Sequence, residues 1–376
     1  MAITPIRMPK WGLSMQEGTV VAWNKPEGAT IAEGEELVDI ETAKITNAAE
    51  SSGAGVLRRI TAHPGDTLPV GALLGMLAEA DTSDAELDAF AAEFMERFAA
   101  EEQAEVAETM AYTTVSAGRG AIRVGRTGQV EGTPVLLVHG WAGDLNGWLF
   151  NIDALAARLP VIAVDLPGHG GSSKDVGDGS TKDLAEALGS ALDQLGVERA
   201  HLIGHSMGAA AVVRLAAARP GLAKTVTLIA PAHVPGGSLN PEFLNGVIDA
   251  TRARGLKQVL ELLVSDPSAV TKDMVEDMLK FKRLDGVEEA LSATRDQLLS
   301  PRETAAVQAD MARLDDVAVI ASKNDRIVGA PDETKLPSGW TVHWIDDAGH
   351  LPHLEQAGEV NRLLIEHVCG AAPGPN

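Results

Sequence analysis

The stretch Gly204-His205-Ser206-Met207-Gly208 holds the clearest chemistry in the chain. It follows the apolar run Ala200-His201-Leu202-Ile203 and precedes Ala209-Ala210-Ala211-Val212-Val213-Arg214-Leu215-Ala216, which reads as a helix. A G-x-S-x-G between a strand and a helix puts the serine on a tight, strained turn, its hydroxyl lifted above a sheet. Side chains at 204 and 208 would collide with the flanking strand and helix. The amides that follow are then aimed at the oxygen of a bound carbonyl. The chemistry expected of Ser206 is attack on an acyl carbon. The pentapeptide alone also arises by chance in loops, so its strand–turn–helix setting carries the reading.

A serine nucleophile needs a base, and the base needs an orienting carboxylate. In folds built on this turn they follow in the order serine, acid, histidine. Asp325 comes just after the apolar run Val317–Ala321, and His350 lies in Asp347-Ala348-Gly349-His350 beyond the last strand-like run. Among the chain's ten histidines, His353 is the rival base, but His350 has the preceding glycine. Asp346 and Asp347 belong to the histidine's own loop, and His139 and His169 read as structural. The set resembles the α/β-hydrolase superfamily. His139-Gly140-Trp141, Asp165-Leu166-Pro167-Gly168-His169-Gly170, Gly204-His205-Ser206-Met207-Gly208, Asp325-Arg326-Ile327-Val328 and Gly349-His350 occur in that order over roughly residues 112–368. The resemblance implies catalytic Ser206, Asp325 and His350, with an oxyanion hole made by the backbone amides of Trp141 and Met207.

The elements that must position these residues are legible as apolar runs separated by helical patterns. Val135–Val138, Val161–Val164, Ala200–Ile203, Val226–Ile229, Val317–Ile320 and Thr341–Ile345 predict a mostly parallel, doubly wound sheet. Pro235–Leu314 has few strand-like runs and reads as a helical lid inserted into that domain.

A second site lies near the N-terminus. Residues 1–79 repeat with an offset of 37, which superposes Gly18 on Gly55, Gly28 on Gly65 and Gly34 on Gly71. Two copies of a small sheet related by a pseudo-two-fold predict a flattened β-sandwich or barrel, with Pro26-Glu27-Gly28 and His63-Pro64-Gly65 as matching turns. Between the copies, Glu41-Thr42-Ala43-Lys44 should put Lys44 on an exposed hairpin tip. Together with Met8-Pro9-Lys10-Trp11-Gly12-Leu13 and Glu17-Gly18, these residues resemble a lipoyl domain over essentially all of 1–79. The resemblance implies that a lipoate ligase attaches lipoate to Lys44. Biotin is the weaker reading, because biotinyl domains flank their lysine with Met and here Ala43 and Ile45 stand there. An unmodified surface lysine is the plain alternative.

Between Glu79 and Glu108 stand eleven acidic residues and one basic, Arg97, so nearly half of the chain's net charge of −22 lies here. Ser83-Asp84-Ala85-Glu86 is a capping box. Leu87, Phe90, Ala91, Phe94 and Phe98 then form one helical face, expected to pack on a neighbouring domain; the alternative is a docking or homo-oligomer face. Joints are expected at Ala80-Asp81-Thr82 and near Ala99–Thr109. The overall expectation is a multidomain chain. It has an all-β lipoyl sandwich (1–79), an acidic helical connector (80–111), an α/β-hydrolase fold (112–370, lid about 235–314) and a flexible tail (371–376). The acidic balance argues against nucleic-acid and anionic-membrane partners. No run is long and apolar enough for a transmembrane helix. The single cysteine, Cys369, fits a reducing cytoplasm.

A lipoyl arm carries acyl thioesters, and an α/β-hydrolase domain cleaves or transfers acyl groups. This pairing resembles the dihydrolipoyllysine-residue acetyltransferase components of acetoin dehydrogenase complexes. That implies acetyl transfer to coenzyme A in acetoin catabolism, with a thiamine-diphosphate-dependent acetoin dehydrogenase and dihydrolipoamide dehydrogenase as partners. The chain departs from the acyltransferases of 2-oxo acid dehydrogenases, since it has no His-x-x-x-Asp-Gly and its connector is acidic rather than basic. A thioesterase using water, or a carrier with an idle hydrolase fold, are the other classes. For coenzyme A phosphates the candidates are the lid residues Arg252, Arg254, Lys257, Lys280, Lys282 and Arg283, for which plain solvated charge is the alternative.

Overall fold

The computed structural model describes residues 3–9, 17–41, 46–108, 110–127 and 130–370. Lys44, Lys10–Leu13 of the N-terminal motif and the tail 371–376 lie outside the described residues. The chain divides into two compact units, Met1–Ala107 and Glu108–Asn376.

The first unit is two four-stranded sheets. Its strands are β1 (Thr4–Arg7), β2 (Glu17–Trp23), β3 (Thr30–Ile31), β4 (Glu36–Glu41), β5 (Thr46–Glu50), β6 (Gly55–Ile60), β7 (Thr67–Pro69) and β8 (Leu73–Ala78). The orders β1-β8-β6-β3 and β5-β4-β2-β7 are the same order when each strand is exchanged for its repeat partner. The 37-residue repeat is therefore a structural pseudo-two-fold. Its turns match in detail: the Gly28 N–H donates to Leu57 O at 2.7 Å and the Gly65 N–H to Val20 O at 2.8 Å. Both glycines sit at positive φ, 88° and 95°, where a Cβ is strained. Val20 and Leu57, Leu37 and Leu74, and Ile40 and Leu77 are paired across the repeat and all buried in one core. β4 and β5 pair antiparallel up to Glu41 opposite Thr46, so Lys44 falls among the four residues that connect them.

Helix α1 (Asp84–Glu108) follows. Its capping box forms: the Glu86 N–H donates to Ser83 Oγ and the Ser83 N–H to Glu86 Oε2, at 3.3 and 2.9 Å. The phenylalanine face packs on this same unit, with Phe94 buried against Leu73, Met76 and Ala78 and flanked by Phe90 and Phe98. The connector thus belongs to the first compact unit instead of standing alone over 80–111. The second expected joint also differs, because the backbone stays helical through Glu108. Residues 99–108 are polar but nearly all Ala, Glu or Gln, and intrinsic helix propensity outweighs the lack of an apolar face.

The second unit is an eight-stranded sheet in the order β16-β15-β14-β13-β11-β12-β10-β9. β9 (Ala111–Ala117) and β10 (Gly120–Arg126) form an antiparallel edge. β11 (Val135–Val138), β12 (Val161–Val164), β13 (Ala200–His205), β14 (Ala223–Ile229), β15 (Val317–Ser322) and β16 (Thr341–Ile345) are parallel. Helices α2 (Leu149–Ala156), α3 (Thr181–Gln194) and α4 (Met207–Ala218) link the strands. Between β14 and β15 come only helices: α5 (Pro241–Asp249), α6 (Ala253–Leu260), α7 (Lys272–Lys282), α8 (Val287–Leu298) and α9 (Pro301–Met311). This is the lid expected over 235–314. α10 (Pro352–Glu355) and α11 (Ala357–Cys369) close the unit. β11, β12, β13 and β15 are buried along their whole length, as parallel strands covered on both faces must be.

Phe94→Ala should cost the first unit about 3–5 kcal/mol, the usual price of an emptied aromatic site. Hydrogen exchange of the β8 amides Leu73–Ala78 is the check, and unchanged protection would show that the helix is not needed by the sheet.

Candidate active site

Ser206 stands at the junction of β13 and α4 with φ 53° and ψ −117°. A β-carbon at Gly204 would meet Gly208 O at 2.5 Å, and one at Gly208 would meet His139 O at 2.3 Å. Helix α4 therefore approaches the strand ends closely enough that no side chain fits at either position. The Ser206 N–H donates to Ile229 O at 3.0 Å, which fixes the turn on β14. Met207 opens α4, so its N–H is one that the helix itself cannot satisfy.

Asp325 and His350, separated from Ser206 by more than a hundred residues, meet it here. His350 Nε2 lies 3.0 Å from Ser206 Oγ and His350 Nδ1 lies 2.8 Å from Asp325 Oδ2. All three are buried. The other carboxylate oxygen of Asp325 accepts the Ile327 and Val328 N–H groups at 2.8 and 3.0 Å. Burial pushes this carboxyl up. The His350 charge and hydrogen bond, with the two backbone donors, outweigh that and hold it below its ordinary value. Asp325 is thus a fixed anion behind the histidine. This arrangement can deprotonate a hydroxyl and stabilise the resulting imidazolium, the requirement for acyl transfer through serine.

Around the three residues is a set of histidines kept neutral. His205 Nε2 donates to the His350 carbonyl at 2.9 Å, and its ring packs 4.5 Å from that of His353. His139 accepts the Leu166 N–H on Nε2 at 2.9 Å and faces Gly140 O with Nδ1 at 2.7 Å. His169 faces Pro167 O with Nδ1 at 2.9 Å. His139 and His169 bond loop backbone, and His353 lies against Trp148, with ring centroids 4.8 Å apart. Burial above all pushes His169 and His353 down to about 3 and lowers His139 and His205 as well.

Ser206 opens on a cavity of about 160 Å³. Trp141, Trp148 and His353 line it together with lid residues including Phe243, Leu244, Val247, Leu260, Met278 and Leu298. Trp141 is tied to the lid, since its indole N–H donates to Thr294 Oγ1 at 2.9 Å. Of the lid cations, Lys282 is spent on the carbonyls of Val247, Ile248 and Ala250 that end α5. Lys257 pairs with Glu261 and Lys280 with Asp277. Arg252, Arg254 and Arg283 are exposed.

Two positioning features are not evident from motifs. Glu355 accepts the Gly349 N–H at 2.8 Å and the Leu351 N–H at 3.3 Å, on either side of His350, and the Ser265 N–H of the lid at 2.6 Å. The lid turn 261–265 holds both triad loops: Leu263 O accepts the His350 N–H at 2.7 Å, and Arg326, next to Asp325, donates to Glu261 O and Val264 O. A signal for Glu355 exists, because a carboxylate in the first turn of a helix opened by Pro352 commonly reaches back to free N–H groups.

The profile of the Alpha/beta hydrolase family matches residues 135–363, and that of the biotin- and lipoyl-attachment family, described as Biotin-requiring enzyme, matches residues 4–77. The "Dihydrolipoyllysine-residue acetyltransferase component of acetoin cleaving system" of Pseudomonas putida is 41% identical over 366 residues, covering 96% of this chain and 98% of that protein. The chain belongs to this acetyltransferase family. It is an acyltransferase with a lipoate-bearing domain on an α/β-hydrolase frame. A "2-hydroxy-6-oxononadienedioate/2-hydroxy-6-oxononatrienedioate hydrolase" of Paraburkholderia phymatum is 31% identical over 69% of this acetyltransferase and 96% of that protein. The solved 2-hydroxy-6-oxo-6-phenylhexa-2,4-dienoate hydrolase of Rhodococcus superposes with TM-score 0.62 at 22% identity, over 69% of this chain and 99% of that one, and shows the fold. Among the described residues no helix is long and apolar enough to cross a membrane.

Two predictions follow from the geometry of this acetyltransferase. Unfolded histidines titrate near 6.5, whereas His169 and His353 titrate at about 3 when folded. Below about pH 6.5 the unfolded chain takes up protons that the folded chain refuses, so stability is full above that pH and is lost as pH falls toward 3. Each of the two contributes a slope of about 1.4 kcal/mol per pH unit in that window. Urea midpoints should therefore drop steadily from pH 6.5 to 4.5, and a flat profile would mean that these rings charge freely. Separately, Glu355→Gln should lower turnover of a simple ester roughly 10- to 100-fold with little change in KM, the loss of one or two charged hydrogen bonds. A wild-type kcat would show that His350 is ordered without it.

Proposed function

We propose that this acyltransferase moves an acetyl group from a lipoyl arm on Lys44 to coenzyme A, through an acyl-enzyme on Ser206. What carries the reading is the Ser206–His350–Asp325 constellation at the wall of an apolar cavity, in a chain that also bears a lipoyl domain. Lipoate, when bound, supplies the thiol that carries the acyl group as a thioester. Ser206 Oγ attacks the thioester carbonyl while His350 Nε2 takes its proton. The oxyanion is held by the N–H groups of Trp141 and Met207, each such donor being worth about 2.7–4 kcal/mol in the transition state. His350 returns the proton to the departing sulfur. It then takes the proton of the coenzyme A thiol, whose sulfur attacks the acyl-serine and releases Ser206. Asp325 keeps the imidazole oriented and stabilises its charged form in both halves.

The partners in this reading are a thiamine-diphosphate-dependent acetoin dehydrogenase that loads the arm, dihydrolipoamide dehydrogenase that reoxidises it, and a lipoate ligase that installs it. The relative's name, a component of an acetoin cleaving system, supports that setting. A second reading, a thioesterase with water as acceptor, is favoured by the hydrolase relative at 31% identity.

Product analysis separates the two. The lipoylated protein is reduced, acetylated on its arm and given coenzyme A; acetyl-coenzyme A and free acetate are then quantified, with Ser206→Ala in parallel. Acetyl-coenzyme A should dominate, and Ser206→Ala should lower its formation by about four to six orders of magnitude. Serine-dependent acetate as the main product would make the chain a thioesterase, and an undiminished mutant would sink the acyl-serine.

A further inference from the structure

We infer that His139 is a positioning residue for the oxyanion hole, setting the direction of the Trp141 N–H by gripping the carbonyl at the other end of the same peptide. The inference rests on the acyl-serine reading with its two backbone donors, and adds a residue that orients one of them. A peptide group is planar and trans, so its C=O and N–H point in opposite directions. Whatever holds the carbonyl of Gly140 therefore aims the N–H of Trp141. In the same way, whatever holds the carbonyl of Ser206 aims the N–H of Met207.

The two peptides are held differently. Ser206 O accepts the N–H groups of Ala209 at 3.0 Å, Ala210 at 3.3 Å and Ala232 at 3.2 Å. Helix α4 and the loop after β14 thus aim the Met207 donor through backbone alone. Gly140 O accepts the Gly143 N–H at 3.1 Å, closing a turn that puts Ala142 at φ 60°. Such a conformation is strained for a residue with a side chain and persists only where its surroundings over-determine it. His139 supplies the second and shorter bond. Its Nε2 accepts the Leu166 N–H at 2.9 Å and so carries no proton. The proton of the neutral ring is therefore on Nδ1, which donates to Gly140 O at 2.7 Å. Asp165, the residue before Leu166, accepts the Leu145 N–H at 2.8 Å, so two consecutive residues hold both ends of the loop 139–145. Gly140 itself lies against the serine, since a β-carbon there would meet Ser206 Cβ at 3.0 Å. Rotation of the Gly140–Trp141 peptide would turn the Trp141 N–H away from an oxyanion formed at Ser206, and His139 opposes that rotation.

The test uses the full chain with a simple ester and with butylboronic acid, which adds to a reactive serine as a tetrahedral anion and places an oxygen in the oxyanion hole. His139→Gln keeps an acceptor for the Leu166 N–H and loses the donor to Gly140 O, whereas His139→Asn keeps the donor and loses the acceptor. His139→Gln should lower kcat about 10- to 100-fold, part of the roughly 100- to 1000-fold that one oxyanion donor is worth. KM should stay within about twofold, and boronate affinity should fall by the same factor as kcat. His139→Asn should keep kcat within about fivefold of the unsubstituted enzyme while losing as much thermal stability as His139→Gln. If a histidine variant folds poorly, Gly143→Ala shifts the same carbonyl, because its β-carbon would meet Gly140 O at 3.2 Å. Boronate affinity should then fall several-fold. Equal turnover losses in His139→Gln and His139→Asn, a boronate affinity that does not follow kcat, or an unaffected Gly143→Ala would each overturn the inference while the acyl-serine stands. Ester turnover or boronate binding that survives Ser206→Ala would instead overturn the acyl-serine reading beneath it.

Discussion

The catalytic half of this chain depends on how closely α4 approaches the carboxyl ends of β11 and β13. Ser206 can take φ 53° and ψ −117° because Gly204 and Gly208 have no side chains, and contacts of 2.3–2.5 Å would otherwise force helix and strand apart. Backbone in this region is strained for a side-chain-bearing residue, on the order of 1–3 kcal/mol, and persists only where its surroundings over-determine it. Here they do. β13 is buried along its length, α4 is buried on nearly every residue, and the Ser206 N–H and C=O bond to Ile229 and Ala232. The core that looks like simple filling is thus what holds Ser206 in position.

His350 and Asp325 are held differently. Neither lies on a regular element. His350 and Asp325 sit on loops after β16 and β15, and both loops are fastened to the same lid turn through Leu263 O, Val264 O, Glu261 O and Ser265 N. Leu260 and Leu263 also line the cavity. The lid is consequently a structural part of the site, and its order and the geometry of the triad are not independent. Glu355 completes the arrangement by accepting N–H groups from the histidine loop and from the lid together, a charged acceptor added to the direct bond between the His350 N–H and Leu263 O.

Much of this was legible in residue types. The glycines of the elbow, the order serine–acid–histidine and the 37-residue repeat each impose a local geometry that few other residues satisfy, and all three reappear in the structure. What was less legible concerned partners distant in sequence. The phenylalanine face of the acidic connector is legible as a face that must pack on something, but its partner surface, Leu73, Met76 and Ala78, is visible only once β8 is folded. The connector's last ten residues lack an apolar pattern in the sequence, but their composition favours the helix that runs through Glu108. The partners of Glu355 and Arg326 escape motif reading for a related reason: both side chains bond backbone groups of segments distant in sequence, and backbone has no sequence signature.

A hydrolase frame that serves as a transferase must make water a poor acceptor. Water needs two to four polar partners to reside in a cavity, and here most of the lining is hydrocarbon. The link between lid and triad strengthens the bias. Any displacement of the 261–265 turn large enough to flood the cavity also withdraws the carbonyl that holds the His350 N–H and the two that hold Arg326. A wet site is therefore a slack site, in which the base is no longer aligned to activate the water that has entered. In the proposed transfer, exclusion of solvent and assembly of the base are thus coupled through the same lid turn.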